Sequence, residues 1–273
     1  MNKFFCKDSD MQEDKINISN KEDVHHIKNV LRLKQGGKVE VSDESGNVYA
    51  CEIFRIDDNV HLVVKNKICS TGIDRGIELT VAVAIPKKAK IDDIIDKLVQ
   101  LGVRRVIPLK TERVIVKLDK QKEADRFLRW KKIALCAAKQ CKRSDLAVIE
   151  PVRSFKDVVA DSSRFDLKLI PYLGGERRTL RDVLAKGDVS TFLEPGARKV
   201  ETTPFALKSR NVPLFSKVMV LIGPEGDFSE EEVQLALSAG FIPVTLGSLV
   251  LRVDTAAIAV AGFIRLFLGQ ERF

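Results

Sequence analysis

The sequence is short of the signatures that mark several large enzyme classes. No GxGxxG follows an apolar run, and neither GxxxxGKS/T, GxSxG nor HExxH occurs. A dinucleotide-binding or P-loop function therefore has no support. Cysteine is sparse: Cys6, Cys51, Cys69, Cys136 and Cys141 make an odd set without a CxxC pair. Neither a disulfide framework nor a zinc site is suggested, and Cys136 and Cys141 read as helix residues. The histidines, His25, His26 and His61, are too few and too scattered for a His-rich metal site. An apolar run of the roughly 18–20 residues that a membrane span needs is missing. The stretch Met1 to Lys7 has no apolar signal-peptide core. The expectation is a cytoplasmic protein with neither a metal nor a membrane partner.

What is present is an ordinary globular composition, 45% hydrophobic and 31% charged over 273 residues, enough for one or two domains. The formal net charge of +8 is unevenly placed. Residues 1–72 carry 11 Lys and Arg against 12 Asp and Glu, whereas residues 86–153 carry 19 against 9. A basic excess concentrated in one middle segment suits a polyanionic partner, and equally a solvated lysine-rich surface.

The first 70 residues read as a small β-rich module. A short helix is expected over about Lys21 to Leu31, then a strand at Val39 to Val41 and a turn at Asp43 to Asn47. Val48 to Ile56 is β-prone with imperfect alternation, Asp57 to Asn59 turns, and Val60 to Val64 returns. Such a meander suggests a small barrel. Cys69 to Gly76 reads as a linker. Beyond it strands and helices alternate, which predicts an α/β domain with a mostly parallel sheet. Leu79 to Ile85, Val103 to Leu109, Leu167 to Leu173, Val218 to Ile222 and Phe241 to Leu246 read as strands. Ile91, Ile94, Ile95, Leu98 and Val99 mark a helix that Gly102 ends. Further helices are expected over Gln121 to Cys141, from Ser229 to Gly240, and over Thr255 to Leu268. Ser229 and Glu232 form a capping box. Gly187 to Ser216, with three prolines, reads as a long insertion. The expected domains are 1–72 and 77–273.

Two glycine-containing loops stand out. Leu221 to Glu232 contains Gly223, Pro224, Glu225, Gly226 and Asp227 between a buried strand and a capped helix. Its glycines allow close backbone approach to a ligand, and the helix start offers free amides. Leu246 to Ala257 contains Gly247, Arg252 and Asp254 and also joins a strand to a helix. If the strands are parallel, both loops lie at their carboxyl ends, where open α/β sheets bind ligands. Taken alone, each is also an ordinary strand–turn–helix.

Together, LIGPEGDFS and LGSLVLRVDTAA resemble the knot signature of SPOUT methyltransferases, most closely the 16S ribosomal RNA uracil-N3 methyltransferase family. The likeness extends to Phe4-Phe5 and to His25 through Leu33 in the front module. It also extends to Pro86-Lys87, Leu101 to Val103, Thr111-Glu112-Arg113 and Arg129-Trp130. Three places depart from the pattern. Asp227 stands where glycine is common, Val253-Asp254 replaces a more usual Thr-Glu, and Lys139 to Cys141 replaces Glu-Gln-Ser.

The resemblance implies a PUA-like barrel followed by an α/β domain with a deep trefoil knot, acting as a homodimer. It implies S-adenosylmethionine as cofactor and 16S rRNA of the small ribosomal subunit as partner. The cofactor would lie against Gly223, Pro224, Glu225 and Gly226 of the first loop, with Leu221 before it. From the second loop it would meet Leu246, Gly247, Val250, Leu251, Arg252, Thr255 and Ala256. Leu169 to Leu173 would supply a third wall. N3 of uracil carries a proton at neutral pH, so its methylation needs a base or a positive environment. Arg252 is the candidate for stabilising or positioning the base, and Asp254 is either the proton acceptor or a cap for the closing helix. Arg32, Lys110, Arg113, Lys117, Arg129, Lys142 and Arg143 are candidate phosphate contacts. Trp130 reads as helix core rather than a stacking platform. A SPOUT enzyme acting on tRNA or a ribose hydroxyl, or a non-catalytic assembly protein, is the alternative.

Overall fold

The computed structural model describes residues 2–43, 46–68, 77–86, 91–113, 120–186 and 215–268. The expected linker at 69–76, Cys69, Lys117 and nearly all of the 187–216 insertion lie outside the described residues. The chain divides into two compact units, Met1–Ile73 with Leu135–Leu146, and Asp74–Ala134 with Ala147–Phe273.

In the first unit, β1 (Lys3–Phe5), β2 (Met11–Gln12), β3 (Lys15–Ile18), β4 (Lys38–Ser42), β5 (Val48–Ile56) and β6 (Val60–Ile68) share one sheet. Their order is β1-β4-β5-β6-β3-β2, antiparallel except for the β1–β4 pair. The uneven alternation of β5 has a cause. Its register against β6 shifts between Ala50 and Cys51 and again between Ile53 and Arg55. Each such irregularity changes which face the following side chains occupy. The three strands of the first 18 residues escaped the sequence reading, because two to four residues cannot display a period. Helix α1 (Lys21–His25) starts at Asn20, whose Oδ1 accepts from the N–H of Glu22 at 2.9 Å and Asp23 at 3.3 Å. It continues as a π turn over His26–Val30. Phe4, Ile16, Ile27, Val41, Ile53 and Leu62 form the core. Cys6 and Cys51 sit in it, and burial pushes their thiols up to about 12 and about 11.

The expected domain boundary omits one piece. Residues 135–146 belong to the first unit, where Lys139 Nζ meets the buried Asp23 Oδ1 at 2.5 Å. An ion pair so far apart in the chain leaves no local trace in the sequence.

The second unit holds β7 (Glu78–Ala84), β8 (Arg105–Lys110), β9 (Val148–Ile149), β10 (Arg153–Ser154), β11 (Leu167–Pro171), β12 (Arg178–Thr179), β13 (Lys217–Ile222) and β14 (Ile242–Thr245). The order is β10-β8-β7-β13-β11-β14-β12, with β9 beside β8, and every pair is parallel. This matches the expected parallel sheet. Strands β7 and β13 are buried along nearly their whole length, as unbroken apolar runs require when both faces are covered. The helices are α2 (Ile91–Gln100), α3 (Lys120–Gln140), α4 (Phe155–Ala160), α5 (Leu180–Lys186), α6 (Glu230–Ser238) and α7 (Val253–Leu268). Helix α2 buries the five residues its spacing singled out. Trp130 of α3 is fully buried and its Nε1 donates to Asp92 Oδ1 at 3.1 Å, so it is core, as expected.

The starts of β11 and β13 are tied by one carboxylate. Asp166 Oδ2 accepts from Ser216 N, Ser216 Oγ and Lys217 N at 2.9, 2.7 and 2.8 Å. These donors hold Asp166 below the ordinary carboxylate value, the Ser216 hydroxyl contributing most. A depressed native pKa means stability that is present above the unfolded pKa and lost as pH falls through the native one. Acid titration of unfolding is therefore expected to show Asp166→Asn less stable than the parent at pH 7. The two curves converge as pH falls through the depressed native value. A constant gap down to the lowest pH would remove the carboxylate from this account.

Candidate functional site

The carboxyl ends of three adjacent parallel strands converge on one cleft of about 620 Å³, its open mouth included. Pro171 ends β11, Ile222 ends β13 and Thr245 ends β14, and all three line the cleft. From the first loop, Gly223, Pro224, Glu225 and Asp227 line it; from the second, Leu246, Gly247, Leu249, Val250 and Leu251. Tyr172 and Leu173 close a third side, and Ala256 reaches in from α7.

Local chemistry shapes the first loop. The capping box at α6 forms as expected: Ser229 N donates to Glu232 Oε2 at 3.0 Å and Glu232 N donates to Ser229 Oγ at 3.3 Å. The other glutamate oxygen accepts from Glu112 N at 2.9 Å. Arg113 Nη1 donates to the carbonyl of Gly226 at 2.8 Å. The Thr111-Glu112-Arg113 segment at the end of β8 thus braces this loop from outside. Gly223 is tightly packed, because a Cβ would stand 3.1 Å from the Phe228 ring. Phe228 is buried against Phe155, ring centroids 5.3 Å apart. In the second loop Gly247 has φ +121°, a conformation that strongly favours glycine. Thr245 Oγ1 folds the turn, donating to the Gly247 carbonyl at 3.0 Å and accepting its N–H at 3.3 Å.

Of the expected cofactor residues, Gly223, Pro224, Glu225, Leu246, Gly247, Val250, Leu251 and Ala256 come together around the cleft. Leu169 and Leu221 do not; they lie inside β11 and β13 with no exposed surface. The third wall begins at the strand end, with Pro171, because residues within a covered sheet face the core. Gly226, Arg252 and Thr255 also stand outside the lining. Arg252 is exposed just before α7, where its carbonyl accepts from Ala256 N at 2.8 Å. Asp254 is half-buried in the first turn of α7, and its Oδ1 accepts from Thr255 N at 2.9 Å. The guanidinium that does line the cleft belongs to Arg177, which no sequence signal indicated. Ile222, Val244 and Thr245 were also missed, although the strand-end rule points to them.

The candidate phosphate contacts separate. Arg32 and Lys142 are exposed in the first unit, each with positive φ, +51° and +58°. Lys110 is exposed at the end of β8, and exposed Arg129 pairs with Asp92 at 2.5 Å. Arg113 is exposed but committed to the Gly226 carbonyl. Arg143 is a correction. It is 2% exposed and engages both oxygens of Asp145, so it holds structure and cannot reach a phosphate. Among the described residues, no group of three or more His, Cys, Asp or Glu could hold a metal ion.

Comparison with known proteins gives this arrangement a family. Residues 74–265 match the model of an RNA methyltransferase domain, and residues 18–65 that of an RNA methyltransferase PUA domain. The ribosomal RNA small subunit methyltransferase E of Bacillus subtilis is 27% identical over 237 residues, covering 87% of this chain and 84% of that protein. Its namesake in Rickettsia conorii is 26% identical, covering 97% and 95%. Among solved structures, a putative methyltransferase of Legionella pneumophila with bound cofactor SAM superposes with TM-score 0.74 at 26% identity, covering 97% of this chain and 96% of that one. A probable rRNA-methyltransferase of Porphyromonas gingivalis gives TM-score 0.76 at 26% identity over the whole of both chains. A strand-end cleft built from these two loops, preceded by a PUA domain, is thus carried by a chain that belongs to the RNA methyltransferase family.

Proposed function

We infer that this chain transfers a methyl group from S-adenosylmethionine to small-subunit ribosomal RNA, and that the acceptor is N3 of a uridine. The observation that carries the reading is the cleft at the ends of β11, β13 and β14. Its backbone glycines and apolar Leu246, Val250 and Leu251 suit an adenine and an aliphatic chain, and the carboxylate of Glu225 suits a cationic ligand. When bound, the sulfonium supplies an already activated methyl group. The residues around it must align that group with the attacking nitrogen and exclude water. Gly223 to Asp227 and Leu246 to Leu251 are the proposed cofactor walls.

Arg252, exposed at the second loop and not committed to the cleft lining, is the proposed group facing the base. Its charge favours the deprotonated pyrimidine. Asp254 serves the helix start in this reading. Leu249 and Val250 are 76% and 75% exposed, an apolar area that suits the homodimer expected of the class. Among the described residues no helix is long and apolar enough to cross a membrane. We place the protein in the cytoplasm, where ribosomal RNA is.

Reverse transcription of small-subunit RNA from cells with and without the protein tests the whole reading, since N3 methylation blocks pairing. One protein-dependent stop is expected, and identical profiles would defeat it. Arg252→Ala should lower methylation by roughly a hundredfold, the scale of one lost transition-state donor, with donor affinity nearly unchanged. Equal losses in both would remove Arg252 from the transition state.

A further inference from the structure

The peptide between Tyr172 and Leu173 is gripped at both ends. Its carbonyl accepts from Arg177 Nη1 at 3.1 Å, and its N–H donates to Asp227 Oδ2 at 3.1 Å. The preceding N–H, that of Tyr172, makes the last rung to β14 by donating to the Val244 carbonyl at 3.3 Å. One residue further on, side chains replace the ladder. The second oxygen of Asp227 accepts from Phe228 N at 2.9 Å, which fixes the carboxylate to its own loop. Tyr172, Leu173, Arg177 and Asp227 all line the cleft.

Asp227 has φ +59°. That left-handed conformation explains why glycine suits the position, and aspartate is among the few side chains that tolerate it. Glycine would satisfy the backbone and supply no carboxylate. Aspartate adds a link from the first loop to the third wall. A peptide past the end of a strand has rotational freedom that a ladder peptide lacks, and here it is held by one anion and one cation.

We propose that Asp227 and Arg177 are positioning residues that orient the Tyr172–Leu173 peptide and thereby set the third wall of the methyl-donor cleft. The proposal rests on the reading of that cleft as the S-adenosylmethionine site. Because both act on one peptide unit, their effects are coupled: releasing either end lets the peptide turn, and releasing the second adds little.

The test compares the parent, Asp227→Gly, Arg177→Met and the double variant. Calorimetry measures the Kd for S-adenosylmethionine, and methylation of small-subunit RNA gives kcat and the KM for the donor. Each single variant is expected to raise Kd and KM about tenfold, the scale of one charge-assisted hydrogen bond. The fall in kcat should stay under about threefold, and the double variant should resemble the singles. A donor Kd within twofold of the parent in both singles overturns the proposal. So does a fall in kcat at unchanged KM, or a double variant with the multiplied loss of roughly a hundredfold. A parent that fails to bind the donor defeats the functional reading itself; a parent that binds alongside unaffected variants defeats the clamp alone.

Discussion

Alanine at Gly223 is expected to weaken S-adenosylmethionine binding by at least about tenfold. The added Cβ would stand 3.1 Å from two carbons of the Phe228 ring and 3.4 Å from Asp227 Oδ1. Phe228 cannot retreat cheaply, being buried among Phe155, Val233 and Leu221 in the core of its unit. Overfilling a packed core costs about 1–3 kcal/mol. Part of that strain is relieved by moving the other party, the Gly223-Pro224 turn, towards the cleft. A shift of that wall by a few tenths of an ångström spoils contacts on which the donor depends. Calorimetric titration reads the affinity, and thermal unfolding reads the strain. An affinity within twofold of the parent would mean that the loop has slack and that Gly223 is there for another reason.

The largest effect on stability is expected from Gly102→Ala. Gly102 ends α2 with φ +77°, and an alanine there incurs about 1–2 kcal/mol of backbone strain. Its Cβ would also meet the Arg265 guanidinium at 2.5 Å. From α7, that guanidinium donates to the carbonyls of Leu101, Gly102 and Ile77 at 3.2, 2.7 and 3.4 Å. The carbonyls just past the end of α2 thus meet a cation, which also suits the helix dipole. A long side chain swings away easily, but doing so gives up charged hydrogen bonds worth about 1.5–3 kcal/mol. The total expected from denaturant unfolding is about 2.5–5 kcal/mol. Arg265→Met separates the two causes. In its background Gly102→Ala should cost only the backbone part, and an undiminished cost would show that the guanidinium is not what the methyl group displaces.

Both glycines were visible in the sequence, Gly102 as a helix stop and Gly223 as part of a ligand loop. Neither Arg265 nor Phe228 was visible as the reason. The same division recurs across the site. The two loops were legible because a buried strand, a glycine-containing turn and a capped helix are local patterns within a dozen residues. The third wall was legible only roughly. Sequence suggested Leu169 to Leu173, and the wall begins at Pro171, because burial on both sheet faces withdraws Leu169 from the cleft. Arg143 looked like its basic neighbours, and only packing distinguishes it from the exposed Lys142 beside it.

By itself the sequence determined the longer strands and helices, through apolar periodicity, caps and stops, because those depend on interactions among residues a few positions apart; the short β1 to β3, β9, β10, β12, α4 and α5 left no such pattern. It also marked the two glycine-containing loops that line the cleft. The tertiary structure alone decided the strand order, the joining of residues 135–146 to the first unit, and the meeting of Asp227, Arg177 and the Tyr172–Leu173 peptide. Those depend on contacts between residues up to more than a hundred positions apart, as Lys139 and Asp23 are, and no local pattern encodes them.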